Sequence, residues 1–269
     1  MSENLLIHEE HGILRLTIDR QARMNAIDLD TMSELGETIT AAQTRPEVRV
    51  IVLTGAGKAF CTGADLAAAA AAGGNEAAPE TVMDRANDLV RAIVDSPLPV
   101  IAQVNGPAAG VGASIALAAD LIYAVDTAYL LLPFTSIGLM PDGGATAVVA
   151  AAMGRVRAAE LALLGARLPA AEAAAAGLIT RSLPAEELSA QVDAAAAQLA
   201  AGPRRALQLT KAAINAATLA HLDDALAREK TGQVELLTAA DFLEGMTAML
   251  TRRAPNFDGA VRPIAHPAK

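Results

Sequence analysis

The chain has 269 residues, 53% of them hydrophobic, and its formal net charge is −9. This length allows one large domain, or one domain with a smaller appendage, and the apolar content excludes disorder of the whole chain. The acidic balance argues against nucleic acid as a partner, because a nucleic-acid-binding protein needs a basic face. The single cysteine, Cys61, excludes an internal disulfide and is typical of a reducing compartment.

The apolar runs and the N-terminus predict a soluble, cytoplasmic protein. No run reaches the ~18–20 residues that a membrane span requires, because Glu, Asp and Gly interrupt the Ala-rich stretches. The N-terminus has acidic residues where a signal peptide would carry a basic patch. We therefore expect no membrane span and no secretion.

The first part of the chain alternates predicted strands with predicted helices, as in an α/β protein. Residues 48–54 are nearly all apolar and β-branched, which indicates a strand buried on both faces. Further strands are predicted at 13–19, 99–104, 121–124 and 129–132. Helices are predicted at 28–43, 81–95 and 113–119, and another helix follows residue 146 and ends at about 153. Asp28 has the type and position of a helix N-cap. The Ala-rich segment 67–80 is interrupted by Gly and Pro and is predicted to be a mobile flap.

From Arg157 onward the sequence shows no convincing strand. Helical segments are separated by Gly and Pro, and a long helix is predicted from about residue 222 to 250. This C-terminal third is therefore expected to be a helical appendage. Its long helix carries both charged and apolar positions, so it either packs on its own domain or forms a subunit interface, and the pattern leaves both open.

Residues 104–120, VNGPAAGVGASIALAAD, are the centre of the sequence argument. The end of a strand, a glycine-containing turn and the start of a helix follow one another here. This order leaves backbone N–H groups unpaired at the positive end of a helix dipole, where an anion or a developing oxyanion would be stabilised. The stretch is neither a Walker-type phosphate loop nor a dinucleotide-binding fingerprint, since no Gly-Lys-Ser/Thr follows and the sixth position from Gly110 is Ile115. Two further glycine loops lie at 55–66 and 134–146.

Few side chains in this pattern suit catalysis. A Ser–His–Asp triad lacks the Gly-x-Ser-x-Gly elbow, and His8 and His11 have no cysteine or third histidine nearby, so a surface or edge position is expected for them rather than a metal site. Cys61 has no histidine in its sequence neighbourhood, so we expect a buried, inert thiol.

The aspartates in the glycine loops require separate interpretations. Asp120 is expected to make a structural hydrogen bond, and Asp65 is expected to cap the turn that follows it. Asp142 lies in the tight turn Pro-Asp-Gly-Gly ahead of a helix. Two roles stay open for it: an N-cap of that helix, or a carboxylate beside the third glycine loop that moves a proton.

Two motifs together resemble the crotonase superfamily, the enoyl-CoA hydratases and isomerases: LTGAGKAFCTGADL at 53–66 and NGPAAGVGASIALAAD at 105–120. Shorter similar segments are RMNAIDLDTMSEL at 23–35, SIGLMPDGGAT at 136–146, AAELALLGARLPAAEAAAAGLI at 158–179 and APNFDG at 254–259. The resemblance covers nearly the whole chain, and chance is a poor explanation for so many ordered matches.

The resemblance implies a crotonase-like α/β fold, a spiral of ββα units with a helical C-terminal oligomerisation region. Residues 1–200 would form the spiral core with the acyl-CoA site, and residues 201–269 the helical region that makes a homotrimer or a hexamer of two trimers. The implied substrate is an acyl-CoA or enoyl-CoA. No metal and no separate cofactor is expected, because coenzyme A is part of the substrate.

The resemblance also implies which residues meet the substrate. The thioester oxygen would be bound by the backbone N–H groups of Ala64 and Val111, forming an oxyanion hole. The implied substrate-binding residues are Arg23, Ala26, Cys61, Thr62, Asp65, Leu66, Gly110, Phe134 and Phe257. Among these, Phe257 is expected near the nucleotide part of coenzyme A.

The sequence departs from the hydratases of this family at the two positions where they carry catalytic glutamates. Ser114 and Phe134 stand there, and neither can act as a carboxylate acid or base. Asp142 resembles the aspartate that isomerase-type members use near the acyl carbons. We therefore expect double-bond isomerisation through an oxyanion-stabilised enolate, with Asp142 as the proton shuttle. The alternatives are a weak hydratase or another thioester lyase or hydrolase, and a non-catalytic acyl-CoA binding protein.

Overall fold

The computed structural model describes residues 4–66, 68 and 77–257. Most of the predicted flap at 67–80 lies outside the described residues, and its last two residues begin a helix. The strands of the described chain are β1 Leu5–Glu10, β2 Ile13–Ile18, β3 Val50–Gly55, β4 Val100–Val104, β5 Ala108–Ala109, β6 Leu121–Val125, β7 Tyr129–Leu131, β8 Leu168–Pro169 and β9 Arg181–Leu183.

Helices lie between these strands and form most of the described chain after β9. They are α1 Leu29–Ala42, α2 Pro79–Val94, α3 Val111–Leu117, α4 Ala145–Leu164, α5 Ala170–Ala175, α6 Ala185–Ala201, α7 Arg204–Thr218, α8 Leu222–Leu237 and α9 Ala240–Thr251. Two short 3-10 helices occupy Gln21–Arg23 and Phe134–Ile137.

A six-stranded sheet of order β1-β2-β3-β4-β6-β9 forms the centre of the fold. The β1–β2 pair is antiparallel, and the other neighbours are parallel. All six positions of β3 are buried, as expected for an apolar strand with parallel neighbours on both sides. A second, smaller sheet has the order β5-β7-β8.

Several predicted elements are confirmed. Asp28 caps α1, because its Oδ1 accepts a hydrogen bond of 2.8 Å from the backbone N–H of Thr31. The structural role of Asp120 is also confirmed, since its Oδ2 accepts from the N–H of Val100 at 2.7 Å and pairs with Lys211 Nζ at 2.8 Å. These two contacts join β4 to the end of α3 and to α7.

The expectation of no strand after Arg157 is wrong. The strands β8 and β9 lie there, and β9 adds an edge strand to the central sheet. They have 2 and 3 residues, too few for an alternating pattern to be recognised. The N-terminal strand β1 was also not predicted from the pattern.

The single long helix predicted from 222 to 250 is also wrong, because two helices occupy this range. α8 ends at Leu237, and Ala239 is extended at φ −83° and ψ 154° before α9 begins. Neither Gly nor Pro marks this break in the sequence. α8 packs against α2 and α4, and α9 packs against the 3-10 helix 134–137. Of the two alternatives left open for this segment, packing on its own domain is therefore observed.

A close approach of α9 to the third glycine loop depends on a glycine. A Cβ placed on Gly245 would lie 2.5 Å from the Cα of Ile137, which no real side chain tolerates. The C-terminal helices are thus fitted directly onto the segment that leads to Asp142. No helix within the described ranges is both long and apolar enough to cross a bilayer.

Candidate active site

The first and second glycine loops lie against each other. The N–H of Cys61 donates to the carbonyl of Pro107 at 3.3 Å, and the N–H of Ala109 donates to the carbonyl of Cys61 at 2.9 Å. Beyond this pairing, a Cβ on Gly63 would lie 3.1 Å from the carbonyl oxygen of Ala109, and a Cβ on Gly110 would lie 3.6 Å from the Cα of Gly63. Both glycines have positive φ, so the contact needs residues without a side chain.

The two predicted oxyanion-hole residues come directly after these touching glycines. Val111 is the first residue of α3, so its N–H lies in the turn where a helix provides no internal acceptor. Ala64 follows Gly63 and forms an isolated bridge with Ile27. The loop contact therefore brings Ala64 and Val111 to one place in the fold, and the binding of a thioester oxygen there stays a prediction.

Asp65 is held by two arginines. Its Oδ1 lies 2.5 Å from Arg23 Nη2, and its Oδ2 lies 3.0 Å from Arg20 Nη2. Oδ1 also accepts from the N–H of Ala68 at 3.1 Å, which confirms the predicted cap of the following turn. Burial acts to raise the pKa of Asp65, but the hydrogen bonds from Arg23 and Ala68 and the two guanidinium charges outweigh it, so the pKa is lowered.

The remaining predicted binding residues of this region have different surroundings. Arg20 donates to the carbonyl of Ala26, and Thr62 Oγ1 donates to the carbonyl of Met24 at 3.1 Å. The Thr62 bond joins segment 23–26 to the first glycine loop, and the Arg20 bond lies within segment 20–26. The Cys61 side chain is fully buried, and burial raises the pKa of its thiol to about 12, as expected for an inert cysteine. The thiol lies below the surface, so a ligand contact through the Cys61 side chain is not supported.

Three other predicted binding residues lie at different depths. Phe134 is buried, and its Cζ is 4.0 Å from the position that a Cβ on Gly110 would take, so it lies beside the glycine contact. Leu66 is half-buried at the end of the first loop. Phe257, after α9, is exposed. Their contacts with a substrate stay predictions.

Asp142 is buried at the start of the third loop's turn and faces α8. Its Oδ2 accepts a hydrogen bond of 2.8 Å from Gln233 Nε2, while its Oδ1 is buried and has no hydrogen-bond partner among the described residues. Burial is the main cause that raises the pKa of Asp142 to about 7; the Gln233 bond lowers it and the charge of Glu229 raises it. The carboxyl group can therefore exist in both protonation states near neutral pH.

The alternative role of Asp142 as an N-cap is wrong. The N-cap of α4 is Gly144, and no side chain of its own segment caps the helix. Gly143 and Gly144, which separate Asp142 from the helix, both have positive φ. The cap comes instead from Glu229 of α8, whose carboxylate accepts from the N–H of Gly144 at 2.6 Å and from the N–H of Thr146 at 3.0 Å.

Ser114 connects the second loop to the third. Its Oγ donates to the carbonyl of Asp142 at 2.7 Å and lies 3.5 Å from the carbonyl oxygen of Gly110. A Cβ on Gly143 would lie 2.8 Å from the Ser114 Cβ, so this packing is tight. The position at which the resemblance expects a hydratase glutamate is thus occupied by a buried hydroxyl that supports the loop carrying Asp142.

Gln233 and Glu229 were missed by the sequence reasoning. A signal for them exists: α8 buries Leu222, Leu226, Glu229 and Gln233 along one stripe. Polar residues that continue a buried apolar stripe at helical spacing must have polar partners. α8 thus contributes two contacts to the Asp142 loop from beyond residue 200, and the assignment of the acyl-CoA site to residues 1–200 stays a prediction. The described residues contain no group of three or more metal-ligating side chains.

Comparison with known proteins identifies the family. Residues 8–260 match the family model for enoyl-CoA hydratase/isomerase. A probable enoyl-CoA hydratase of Rhodobacter capsulatus is 42% identical over 261 residues, covering 96% of this chain and 100% of that protein. The 1,2-epoxyphenylacetyl-CoA isomerase of Escherichia coli K12 is 37% identical over 269 residues, covering 96% of this chain and 100% of that protein.

The fold agrees with this family. A crystal structure of an enoyl-CoA hydratase from Mycobacterium avium subsp. paratuberculosis K-10 matches with a TM-score of 0.88 and 47% identity, covering 95% of this chain and 99% of that one. The predicted crotonase-like α/β fold with a helical C-terminal region is confirmed. The chain therefore belongs to the enoyl-CoA hydratase/isomerase family, and it is a crotonase-superfamily enzyme that acts on an acyl-CoA thioester.

Proposed function

We propose that this enzyme moves the double bond of an enoyl-CoA, with Asp142 carrying the proton from one carbon to another. The observation that carries the proposal is the buried Asp142 carboxyl, with Oδ2 held by Gln233 and Oδ1 left without a partner among the described residues. A single carboxyl group is sufficient for isomerisation, because one proton leaves the substrate and the same group returns one.

The proposed reaction has two proton transfers. The N–H groups of Ala64 and Val111 donate to the thioester oxygen, and Asp142 removes a proton from the α-carbon of a 3-enoyl-CoA. The C–H electron pair forms a double bond between the α-carbon and the thioester carbon, and the negative charge moves to the thioester oxygen as a dienolate. Protonated Asp142 then returns the proton to the γ-carbon, and the double bond moves to the α,β position, giving the conjugated enoyl-CoA. Preorganised donors contribute on the order of 2.7–4 kcal/mol each in comparable sites.

Two side chains argue against ordinary hydration as the main reaction. Addition of water requires a base for the water and an acid for the α-carbon. Ser114 uses its hydroxyl on the carbonyl of Asp142, and Phe134 is a buried hydrocarbon side chain. The name of the Escherichia coli relative, an isomerase, agrees with isomerisation as the reaction class.

A hydratase is the second candidate function. The 42% identical relative from Rhodobacter capsulatus carries that name, and Asp142 would then have to serve both as the base for water and as the acid for the α-carbon. Compared with the isomerase, this mechanism requires the one carboxyl group to activate a water molecule as well as to deliver a proton to the α-carbon.

The test measures isomerisation of a 3-enoyl-CoA and hydration of crotonyl-CoA on the same enzyme, with 1,2-epoxyphenylacetyl-CoA as a third substrate. We expect isomerase activity in the wild type, and Asp142→Asn should lower kcat by about 10²–10⁴-fold, the usual contribution of general acid–base catalysis. Asp126→Asn, a change at an exposed carboxylate, should leave kcat unchanged.

Three results would overturn the proposal. They are full isomerase activity in Asp142→Asn, turnover of the epoxide without isomerisation of any 3-enoyl-CoA, and hydration as the only reaction of the wild type. If isomerisation is the reaction, we expect the double variant Ser114→Glu with Phe134→Glu to raise the rate of hydration above the wild-type level.

A further inference from the structure

The contact between α8 and the Asp142 loop includes two buried polar side chains on one helix face. Glu229 and Gln233 are four residues apart, so they lie one above the other, and each is 1% exposed. Both face a segment of seven residues, 140–146, that includes Asp142. The burial of two such polar groups requires that their hydrogen bonds be satisfied, and each meets the loop through more than one bond.

Gln233 is fixed in orientation by the loop backbone. Its Oε1 accepts from the N–H of Met140 at 3.2 Å, and its Nε2 donates to Oδ2 of Asp142 at 2.8 Å. An N–H group can face only the oxygen end of the amide, so the nitrogen end must point to the carboxylate. Oδ2 consequently accepts the hydrogen bond from Gln233 in both protonation states of Asp142. When Asp142 is protonated, its proton is therefore on Oδ1.

Glu229 holds the other end of the same segment. Its carboxylate accepts from the N–H of Gly144, the N–H of Thr146 and Oγ1 of Thr146, at 2.6, 3.0 and 2.5 Å. These donors follow Asp142 directly, at the start of α4. An acceptor-only group suits three donors, and its negative charge lies close enough to Asp142 to act on it.

We propose that Gln233 and Glu229 are positioning residues of this enzyme: Gln233 keeps Oδ2 of Asp142 in a hydrogen bond so that Oδ1 exchanges the proton with substrate, and Glu229 fixes the loop that carries Asp142. The statement about proton exchange rests on the function proposed above. The contacts themselves, and their effect on Asp142, do not depend on which reaction the enzyme catalyses.

The two residues should act on the pKa of Asp142 in opposite directions. The Gln233 bond stabilises the carboxylate and lowers its pKa, whereas the Glu229 charge destabilises the carboxylate and raises its pKa. Other side chains that contact this loop carry no charge: Ser114 of α3, Val90 of α2, and Leu222 and Leu226 of α8. Arg228 acts on Glu229 and partly offsets its charge.

The experiment is a carbon-13 NMR titration of aspartate-labelled enzyme without substrate, in which the Asp142 signal is identified by its loss in Asp142→Asn. The pKa of Asp142 should rise in Gln233→Met and fall in Glu229→Gln. Asp224→Asn removes an exposed charge from the same helix and should leave the pKa unchanged. Gln233→Glu is a second variant of unchanged length, and it should also raise the pKa, because it brings another carboxylate to Asp142.

The kinetic arm of the experiment separates positioning from binding. Gln233→Met should lower kcat by about 10- to 100-fold, the effect of losing a hydrogen bond to a charged group, with KM changed less than kcat. The pH–rate profile should shift in the same direction as the NMR titration. Variants are compared only after circular dichroism shows an unchanged fold.

Two outcomes overturn the positioning proposal: an unchanged pKa of Asp142 in the variants at 229 and 233, or shifts in the same direction in Gln233→Met and Glu229→Gln. Failure of the proposed function is distinguishable from both. If the pKa moves as expected but the wild type does not isomerise enoyl-CoA, the reaction assignment alone is wrong. If Asp142→Asn abolishes isomerisation while the variants leave pKa and kcat unchanged, the positioning roles alone are wrong.

Discussion

The first and third glycine loops each bury one carboxylate, Asp65 and Asp142, and both residues are 8% exposed. Around Asp65 lie two guanidinium groups, those of Arg20 and Arg23, and the pKa of Asp65 is lowered. Around Asp142 the hydrogen-bond partner is the neutral amide of Gln233, and the pKa is raised to about 7. At equal solvent exposure the two pKa values therefore shift in opposite directions: the charged partners outweigh burial at Asp65, whereas Asp142 lies deeper in the protein and burial dominates there.

This difference is the one expected between a structural carboxylate and a carboxylate that exchanges protons. Asp65 joins the first loop to segment 20–23 and is ionised whenever the protein is folded near neutral pH. Asp142 faces the negative Glu229 and has one oxygen free of hydrogen bonds among the described residues. A group that is costly to ionise in the fold, and that titrates near neutrality, is suited to exchanging a proton.

The same substitution at the two positions should change stability in opposite directions, and the larger change is expected at Asp65. Asp65→Asn removes a buried charge from two arginines, and we expect a loss of about 3 kcal/mol in the free energy of unfolding at pH 7. Arg20 keeps a partner in Asp28, at 3.0 Å, which limits the loss. Urea denaturation at equal protein concentration measures it.

The pH dependence of this loss follows from the lowered pKa. Ionised Asp65 stabilises the fold above its unfolded pKa of 3.8, and this contribution disappears as the pH falls through the lower folded value. The difference in the free energy of unfolding between wild type and Asp65→Asn should therefore become smaller as the pH falls. Asp193→Asn breaks a more exposed pair with Arg15 and should cost below about 1 kcal/mol. Equal losses at 65 and 193 would contradict the structural role of Asp65.

At the second carboxylate, Asp142→Asn should stabilise the fold at pH 8. Raising the pKa from 3.8 to about 7 corresponds to roughly 4 kcal/mol of destabilisation when the group is ionised. The new amide leaves a buried N–H without an acceptor, which costs about 1–3 kcal/mol, so we expect a net gain of about 2 kcal/mol. Urea denaturation of both proteins at pH 8 checks this value.

The raised pKa of Asp142 also determines the pH range over which Asp142→Asn changes stability. Folded Asp142 keeps its proton between pH 3.8 and about 7, where the unfolded chain releases it, so wild-type stability falls over that range as the pH rises. The stability gained by Asp142→Asn over the wild type should thus be largest above pH 7 and should become smaller towards pH 4. A constant difference across this range would show that the pKa of Asp142 is not raised.

The parts of the site that lie within one motif could be predicted from the sequence. Gly63 and Gly110 belong to loops recognisable by composition, and the cap by Asp65 spans three residues. The partners of Asp142 could not be predicted, since Gln233 is 91 residues away in the chain. Asp142 itself precedes a helix as a capping residue would, and only the folded chain brings Glu229 to the capping position.

The same distinction applies to the fold: elements with a local sequence pattern could be predicted, and elements set by distant contacts could not. The apolar run of β3 predicted a buried strand, because one strand with parallel neighbours on both sides buries every side chain. The short strand β9 is partly exposed and owes its conformation to pairing with β6, which no local pattern reports. Likewise, the end of α8 at Leu237 carries no Gly or Pro signal and is set by the packing of α9 on the third glycine loop.

The smallest effect is expected at Ser114, which connects the second glycine loop to the loop that carries Asp142. Ser114→Ala removes the 2.7 Å bond to the carbonyl of Asp142, and we expect a loss of about 1 kcal/mol in the free energy of unfolding. Thr38→Ala also deletes a hydroxyl that donates to a backbone carbonyl, but within one helix, and should cost less. Because the bond holds the Asp142 backbone, kcat should fall in Ser114→Ala even where stability is nearly unchanged. An unaltered kcat would mean that Gln233 and Glu229 suffice to hold the aspartate, and that the hydroxyl at 114 serves packing alone.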